Sequence, residues 1–211
     1  MLWIIPGIII SYLVGSIPIA YIAGRILKGI DIRKFGSGNV GATNALRVLG
    51  KIAGITVLII DALKGALCVI FLGDLVSAKI LVLPADILRI TLGISCIIGH
   101  SWTVFLNFKG GKGVATTFGV LIGLSFRIPG LGLVFMLIIL VWLAAFLATR
   151  IVSLSSILAC LAMPVLMILF KHSAALLIFS ALIAAFIILR HHSNLARIFQ
   201  GKEPRLYFTS R

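Results

Sequence analysis

The sequence predicts an all-α, polytopic membrane protein with seven transmembrane helices. Three observations lead to this prediction: the composition, the recurrence of long apolar segments and the distribution of Lys and Arg. Of the 211 residues, 61% are hydrophobic and 11% are charged, and the mean hydropathy is +1.24. Soluble domains are usually about 45–50% apolar and about 25% charged. An ordinary soluble fold is therefore excluded, and so is disorder, which requires low hydrophobicity.

Long apolar segments divide the chain. A helix needs about 20 mostly apolar residues to cross roughly 30 Å of hydrocarbon. The first segment has no basic N-terminal region and is longer than a signal-peptide core, which predicts a retained helix. No linker or fixed-period repeat separates the segments, so we predict one domain over residues 1–211. The predicted spans are 3–24, 52–72, 80–99, 114–128, 130–149, 152–170 and 173–190.

The basic residues predict the orientation. The chain has 19 Lys and Arg against 5 Asp and Glu, a net charge of +14. Seven spans put fourteen of those 19 on one side, which the positive-inside rule makes cytoplasmic, with the N-terminus outside and the C-terminus inside. A six-span count would weaken this asymmetry. The fourteen are Arg25, Lys28, Arg33, Lys34, Arg47, Lys51, Lys109, Lys112, Arg150, Arg190, Arg197, Lys202, Arg205 and Arg211.

Two pairs of opposite charges fall inside or at the edge of predicted spans. Asp61 precedes Lys64 by three residues, and Asp86 precedes Arg89 by three. Each charge near the centre of a span costs about 2.5–3.5 kcal/mol on insertion scales. Because residues at i and i+3 share a helix face, we predict that each pair neutralises itself and has a structural role. A direct catalytic role is the alternative.

The segment at residues 36–44 interleaves three glycines with small hydrogen-bonding side chains. Glycines let backbone N–H groups turn towards a ligand, and such nests bind anions. From Asn39 the pattern predicts a short amphipathic helix at the cytoplasmic interface, with Asn39, Thr43 and Arg47 on one face and Gly50 at its end. The alternative interpretation is an ordinary glycine-rich turn between two spans.

A second glycine cluster, Lys-Gly-Gly-Lys-Gly at residues 109–113, leads directly into the fourth span. Backbone N–H groups at a helix start, together with a lysine, form a phosphate site. The cluster is not a nucleotide-binding P-loop, because Leu106 stands where the first glycine should be and Lys112 is followed by Gly113. The alternative is a basic loop that anchors the membrane interface.

The last two predicted cytoplasmic segments are also polar. The serines at residues 153–156 open the sixth span, where hydroxyl groups commonly cap a helix, and we predict that role. After the seventh span, Arg190, Asn194 and Arg197 share a helical face with His191 beside it. Spacing does not distinguish His191 from its neighbour at position 192, and no polar partners are predicted for the histidines at positions 100 and 172.

The chemistry of these segments points to phosphate groups. Asp31 and Glu203 are the only carboxylates among them. Arginine, lysine and neutral donors suit phosphate, whereas a hard metal ion needs carboxylate ligands, so no metal site is predicted. The three cysteines lie singly in apolar runs, which predicts neither a disulfide nor a zinc site. Nucleic acid is excluded because so apolar a chain has little soluble surface to offer it.

Taken together, these motifs resemble the PlsY family, bacterial integral-membrane glycerol-3-phosphate acyltransferases that use acyl phosphate. Asp61-x-x-Lys64-Gly65 also resembles a family element, and Thr103 departs from the proline usual in the family, which affects the rigidity of a loop entry. The motifs are Gly36-Ser37-Gly38-Asn39-Val40-Gly41-Ala42-Thr43-Asn44, Gly99-His100, Val104-Phe105, Phe108-Lys109-Gly110-Gly111-Lys112-Gly113-Val114-Ala115-Thr116, Ser153-x-x-Ser156-Ile157, Arg190-His191-x-x-Asn194-x-x-Arg197 and Gly201-x-Glu203.

The resemblance implies seven transmembrane helices and one reaction. Acyl phosphate and glycerol 3-phosphate give 1-acyl-glycerol 3-phosphate (lysophosphatidate) and inorganic phosphate, the first acylation of phospholipid synthesis, at the bacterial inner membrane. No cofactor is implied, and functional coupling to the soluble enzyme that makes acyl phosphate is expected. The other large class of glycerol-phosphate acyltransferases carries a His-x4-Asp pair, which this chain lacks.

The alternative function is a transporter of a phosphorylated metabolite. It is less favoured because the motifs crowd one face and no paired halves are seen.

The resemblance also implies roles for individual residues. The expected catalytic residues are Ser37, Arg47, Lys112, Ser156, His191 and Asn194. The expected substrate-binding residues are Gly38, Asn39, Gly41, Thr43, Asn44, Lys109, Gly110 and Gly111.

Overall fold

A computed structural model describes residues 3–80 and 82–206, and every regular element in these ranges is helical. Their contacts group into two compact units, Met1–Pro129 and Gly130–Arg211. A single domain over 1–211 stays a prediction, and Arg211, counted above with the cytoplasmic cations, lies outside the described residues. The α-helices are α1 (Ile4–Ser16), α2 (Ile19–Lys28), α3 (Ala42–Leu49), α4 (Lys51–Leu67), α5 (Gly73–Ser77), α6 (Ala85–Ser101), α7 (Val114–Ser125), α8 (Leu131–Thr149), α9 (Val152–Leu169), α10 (Ala174–Arg190) and α11 (His192–Phe199).

Each predicted span contains a helix, but not all of these helices are long enough to cross a bilayer. Ala174–Arg190 reaches that length only together with His192–Phe199, from which it is bent by 62°. Helix α7 has 12 residues, roughly 18 Å at 1.5 Å per residue. By length and composition, five or six spans are found among the described residues. The five are Ile4–Lys28, Lys51–Ser77, Ala85–Leu106, Leu131–Thr149 and Val152–Leu169.

The first span is interrupted near its middle. Helix α1 ends at Ser16, and α2 begins after Pro18. Proline has no N–H to donate and disfavours helical backbone in the residue before it, so the helix stops at this point. The interruption leaves the backbone oxygen of Ile17 within reach of the Lys64 side chain, with a Nζ–O distance of 3.3 Å.

Glycines hold α4 and α7 in close contact within the first unit. A Cβ at Gly119 would lie on the backbone oxygen of Ala62, and one at Gly123 would come within 3.1 Å of the backbone oxygen of Ala66. Gly119 and Gly123 are four residues apart, the spacing that lets membrane helices approach closely. Gly119 faces Ala62 and Gly123 faces Ala66, so the contacts move towards the C-terminus along both helices. Helices α4 and α7 therefore run parallel.

Replacing Gly119 with alanine should therefore weaken this packing. We expect the added methyl group to push α7 away from α4 and to lower the free energy of unfolding by about 1–3 kcal/mol, the usual cost of overpacking. Thermal unfolding of the detergent-solubilised protein measures the change. The matched control is Gly132→Ala in α8, where a Cβ meets nothing within 4 Å; equal stability of the two variants would contradict the packing argument.

The predicted interfacial helix after the first span is present as α3, although it begins at Ala42 rather than at Asn39. Gly50 ends it with a φ of 101°, in the region that favours glycine. Lys28, at the end of α2, donates to the backbone oxygen of Val48 at 2.7 Å. This bond ties α3 to the end of the first span.

One of the two predicted ion pairs is correct and the other is wrong. Lys64 Nζ lies 2.8 Å from Asp61 Oδ1. Arg89 instead pairs with Asp74, at 2.7 Å, and Arg127 bonds the same carboxylate. Asp86 is exposed in the first turn of α6. Spacing along one helix missed a partner on the neighbouring helix α5.

Candidate active site

In the first unit, the glycine motif at residues 36–41 forms a loop that Asn44 holds in place. We call it the first glycine loop. Gly36 and Gly38 have φ values of 61° and 71°, where residues with a Cβ are disfavoured. Asn44 is buried; its Oδ1 accepts from Ser37 N at 2.8 Å, and its Nδ2 donates to Phe35 O at 3.1 Å. Asn44 therefore shapes the loop rather than offering its amide outward.

The loop leads into the N-terminus of α3. Gly41 is the N-cap, and no side chain caps the helix at this position. The backbone oxygen of Gly41 accepts from the N–H groups of Asn44 and Ala45. Within the described residues, the N–H groups of Ala42 and Thr43 have no backbone acceptor. Such unpaired N–H groups at a helix N-terminus favour an anion. Thr43 and the exposed Arg47 follow on one face of α3.

The second glycine cluster, which we call the second glycine loop (residues 109–113), returns against the end of α6. Gly110 N donates to Ser101 O at 3.1 Å, and Gly111 N donates to His100 O at 3.0 Å. A Cβ at either glycine would overlap the His100 backbone oxygen or ring. These two N–H groups are thus already used within the protein, and the observed role of both glycines is close packing.

Donors remain at the start of α7, directly after Lys112. Gly113, with a φ of 86°, is the N-cap, and its oxygen accepts from Thr117 N. The described residues supply no backbone acceptor for the N–H groups of Val114 and Ala115. The buried hydroxyl groups of Thr116 and Thr117 also have no hydrogen-bond partner among the described residues. A half-buried lysine beside a helix N-terminus is the arrangement that an anionic group requires.

One apolar cluster brings the two glycine loops to the same end of the first unit. Val40 of the first loop and Ala45 of α3 pack in the same buried cluster as Leu106, three residues before Lys109. Ile32 and Val57 complete the contact between these segments. Arg47, on the helix after the first loop, and Lys112, in the second loop, therefore lie on neighbouring segments.

Thr103, the departure from the family pattern, anchors the loop before Lys109. Its buried hydroxyl group donates to Ser16 O at 2.6 Å and accepts from Phe105 N at 3.2 Å. The second bond caps the 3₁₀ turn at Val104–Leu106. Threonine thus fixes this loop entry by hydrogen bonds to two segments.

Asp31 does not place a bare carboxylate beside the predicted phosphate sites. Arg33 binds it through its guanidinium, with Nη2 2.7 Å from Oδ2, and through its backbone N–H. The hydrogen bond from the Arg33 side chain lowers the pKa of Asp31 to about 2. The charge of this carboxylate is consequently balanced locally.

In the second unit, Glu203 is the centre of a buried polar cluster whose contacts the sequence did not predict. Its Oε1 accepts from Ser153 Oγ at 2.7 Å and from Asn194 Nδ2 at 2.5 Å. Its Oε2 accepts from Arg197 Nε at 2.7 Å. Burial opposes ionisation, but the hydrogen bonds from Ser153, Asn194 and Arg197 outweigh it, so the pKa of Glu203 is lowered. The carboxylate connects α9, α11 and the segment after α11.

The structure distinguishes the two adjacent histidines. His191 is 3% exposed, whereas His192 is exposed. His191 Nδ1 lies 2.8 Å from Ile187 O. Because a carbonyl oxygen only accepts, Nδ1 carries the proton, and a neutral His191 has its lone pair on Nε2. The chain turns at His191, between α10 and α11, so Arg190 does not continue the helical face of Asn194.

The serines at the start of α9 do not cap it, contrary to the prediction. Ile151 is the N-cap and makes no side-chain cap. Ser155 and Ser156 donate to backbone oxygens one turn earlier, at 2.9 and 2.8 Å, because each already lies within the helix. Ser156 Oγ also accepts from Trp142 Nε1 at 3.2 Å, a bond that fixes the rotamer of this predicted site residue.

Comparisons with known proteins agree with the motifs. A family model described as glycerol-3-phosphate acyltransferase matches residues 5–201. A glycerol-3-phosphate acyltransferase of Prochlorococcus marinus (strain NATL2A) is 46% identical over 200 residues, 93% of this chain and 94% of that protein. One from Chlorobaculum parvum is 41% identical over 237 residues and covers 100% of both chains.

Two crystal structures are also similar. Both are of PlsY, an integral membrane glycerol 3-phosphate acyltransferase. Its glycerol 3-phosphate form is 36% identical, with a TM-score of 0.84 over 97% of this chain and 96% of that one. Its lysophosphatidic acid form is 35% identical, with a TM-score of 0.81 over 97% and 95%. The chain is a multi-pass membrane acyltransferase and belongs to the PlsY family of glycerol-3-phosphate acyltransferases.

Proposed function

We propose that this acyltransferase transfers the acyl group of acyl phosphate to the 1-hydroxyl group of glycerol 3-phosphate. The products are lysophosphatidate and inorganic phosphate. The observation that carries the proposal is that each glycine loop leads into a helix N-terminus, while Arg47 lies in the last turn of α3 and Lys112 directly precedes α7. Two phosphorylated substrates need two such sites. The solved relatives, described in glycerol 3-phosphate and lysophosphatidic acid forms, support this acceptor and this product.

The reaction needs no further activation of the donor, because acyl phosphate is a mixed anhydride. The 1-hydroxyl oxygen attacks the carbonyl carbon, a C–O ester bond forms, and the C–O bond to phosphate breaks. The electron pair of that bond leaves with the phosphate, and the hydroxyl proton ends on a phosphate oxygen. The protein's contribution is to place the hydroxyl group and to stabilise the developing negative charge. No cofactor takes part in this scheme.

Residues of the first unit supply the anion-binding groups. Arg47 and the α3 N-terminus, shaped by Ser37, Gly38, Asn39 and Gly41, bind one phosphate. Lys112, together with the α7 N-terminus, binds the other, and Lys109 adds positive charge at the loop surface. Asn44 holds the first loop, while Gly110 and Gly111 permit the second loop to pack against α6.

Residues of the second unit retain the roles that the resemblance implies. Ser156, His191 and Asn194 are proposed to contact substrate, and Glu203 orients Asn194 through their hydrogen bond. A phosphate oxygen of the substrate accepts the hydroxyl proton, and His191 is the protein alternative for that step.

The His191→Ala variant tests which group is the base. With a substrate oxygen as base, we expect about tenfold lower activity from the lost contact and an unchanged profile between about pH 6 and 9. The measurement is phosphate release as a function of pH, with His192→Ala at the exposed neighbour as the control. Loss of a pH-dependent limb near about pH 6.5, the ordinary pKa of histidine, would assign the base to His191.

We further propose seven spans, with the N-terminus outside and the active site facing the cytoplasm of the bacterial inner membrane. The short α7 supports this count. Gly65 and Gly119 mark where α7 lies against the second half of the α4–α5 span, so α7 runs alongside that half in the same direction. Counted with the five longer spans and Ala174–Arg190, α7 brings the number of proposed crossings to seven. The positive-inside rule then orients the whole chain.

A donor comparison tests the proposed function. Purified protein in detergent micelles is given glycerol 3-phosphate with acyl phosphate, acyl-CoA or acylated carrier protein, and lysophosphatidate is measured. We expect product with acyl phosphate only. Product with acyl-CoA and none with acyl phosphate would contradict the donor assignment. If the donor is acyl phosphate, adding the soluble enzyme that makes it should sustain turnover in a coupled assay, as the expected partnership requires.

A further inference from the structure

A buried ammonium group with three polar partners lies inside the first unit. Lys64 is 5% exposed. Its Nζ lies 2.8 Å from Asp61 Oδ1, 2.9 Å from His100 Nδ1 and 3.3 Å from Ile17 O. An ammonium group has three N–H bonds; here it has two hydrogen-bond acceptors, His100 Nδ1 and Ile17 O, and one ion-pair partner, Asp61. Burying a charge is expensive unless it is paired and hydrogen-bonded, so these three partners are what makes Lys64 tolerable at this depth.

The three partners come from three different segments. Asp61 shares α4 with Lys64, His100 lies in the last turn of α6, and Ile17 lies at the break between α1 and α2. Lys64 is therefore a junction at the level where α6 and α1 both end. The predicted i, i+3 ion pair accounts for Asp61 only; the other two contacts require the folded chain.

His100, which Lys64 holds in place, contacts the second glycine loop. Since the Lys64 ammonium donates to Nδ1, the His100 proton lies on Nε2. That edge of the ring faces Gly111, where an added Cβ would lie on Nε2. The backbone oxygen of His100 also accepts from Gly111 N at 3.0 Å. The ring and the backbone of His100 thus both contact the residue before Lys112.

The backbone just before the loop is strained. Phe108 has a φ of 60°, which is unfavourable for a residue with a bulky side chain. Such a conformation persists only where the surrounding structure over-determines it. The contacts with Thr103, Ser101 and His100 provide that constraint.

We propose that Asp61, Lys64 and His100 are positioning residues that hold the second glycine loop, and with it Lys112, at a fixed place against α6. They act through the loop and touch no substrate. The consequence for activity rests on the proposed function, in which Lys112 binds a substrate phosphate. A purely structural pair, by contrast, would leave the loop unaffected once the protein is folded.

The test uses matched substitutions at His100. His100→Asn keeps an acceptor near the Nδ1 position for Lys64, whereas His100→Leu removes it at similar volume. A nitroxide label at Lys109→Cys reports the mobility of the loop by electron paramagnetic resonance. The three native cysteines are buried, so the new thiol group is labelled preferentially. We expect a mobile label in the Leu variant and an immobilised one in the Asn variant.

A second variant tests the same proposal in a protein that is expected to stay folded. Asp61→Leu combined with Lys64→Met removes both charges, and replacing a buried ion pair by apolar residues is often neutral for stability. Because His100 then loses its donor, the loop should loosen in a protein that still elutes as a folded species. An immobilised label in this variant and in His100→Leu would overturn the proposal.

Kinetics separate this proposal from the proposed function. Without the label, we expect His100→Leu to raise KM for glycerol 3-phosphate or for acyl phosphate about tenfold or more, since displacement by about 1 Å has large effects. His100→Asn should restore it. A loosened loop with both KM values unchanged supports the positioning role and contradicts the assignment of Lys112 to phosphate. An immobilised loop with raised KM values contradicts the positioning role alone.

Discussion

Replacing Lys112 with alanine is expected to lower kcat/KM by about 10²–10³-fold while leaving the protein folded. Lys112 is half-buried and directly precedes the N-terminus of α7. A charge-assisted contact to phosphate is about twice as strong as a neutral hydrogen bond, and removing one preorganised donor from a developing charge costs about 10²–10³ in rate. Steady-state phosphate release by the purified variant measures the effect.

Two comparisons distinguish a local contact from general attraction of anions. Lys112→Arg keeps the charge and should recover part of the activity, although its planar guanidinium is not interchangeable with an ammonium. Lys34→Ala removes an equal charge from an exposed position outside the proposed site and should change kcat/KM little. Equal losses at Lys34 and Lys112 would indicate that only overall charge matters and would contradict the site.

Replacing Glu203 with alanine is expected to destabilise the protein by about 3 kcal/mol. The Glu203 carboxylate accepts from Ser153, Asn194 and Arg197. Removing one partner of a buried pair leaves the others unsatisfied, which costs about 3–5 kcal/mol; the lower end applies because the Arg197 side chain is 38% exposed. Thermal or denaturant unfolding in detergent measures the loss, and Lys202→Ala, at an exposed neighbour, should change stability by about 0.5 kcal/mol or less.

Glu203→Gln separates hydrogen bonding from charge. Glutamine keeps the Oε1 that accepts from Ser153 and Asn194 but presents an NH₂ group to Arg197. We therefore expect a smaller loss, about 1 kcal/mol. A loss equal to that of the alanine variant would show that the ion pair with Arg197 is the main contribution.

Acid should reproduce part of the Glu203 effect. The folded pKa of Glu203 lies below its ordinary value of 4.5. A carboxylate with a lowered folded pKa contributes stability that is fully present above the unfolded pKa and is lost as the pH falls through the folded pKa. The difference in stability between the wild-type protein and Glu203→Gln should accordingly shrink below about pH 4.5.

Local features of the site were predictable from the sequence, and long-range partners were not. The glycine loops, the short helix carrying Arg47 and the Asp61–Lys64 pair depend on spacing within one segment. His100 and Glu203 stand within the quoted motifs, but two of their contacts could not be predicted, because Lys64 lies 36 residues from His100 and Ser153 lies 50 residues from Glu203. The second glycine motif also predicted that Gly110 and Gly111 offer their N–H groups to a ligand. In the structure, both N–H groups donate to backbone oxygens at the end of α6.

The fold shows the same division. Hydropathy located a helix in every predicted span, because burial in a bilayer depends on composition. It did not reveal that α7 is only 12 residues long, since the apolar run continues past Ser125 to Ile128. The pairing of Arg89 with Asp74 instead of Asp86 follows from the approach of α5 to α6, which only tertiary packing determines.

The central claim is that the 1-hydroxyl group of glycerol 3-phosphate attacks the carbonyl carbon of acyl phosphate. It is tested most directly with acyl phosphate that carries ¹⁸O in the oxygen bridging carbon and phosphorus. We predict one lysophosphatidate for each phosphate released, with the label entirely in the phosphate because the C–O bond breaks. No lysophosphatidate, or label retained in a free fatty acid through P–O cleavage, would contradict the account.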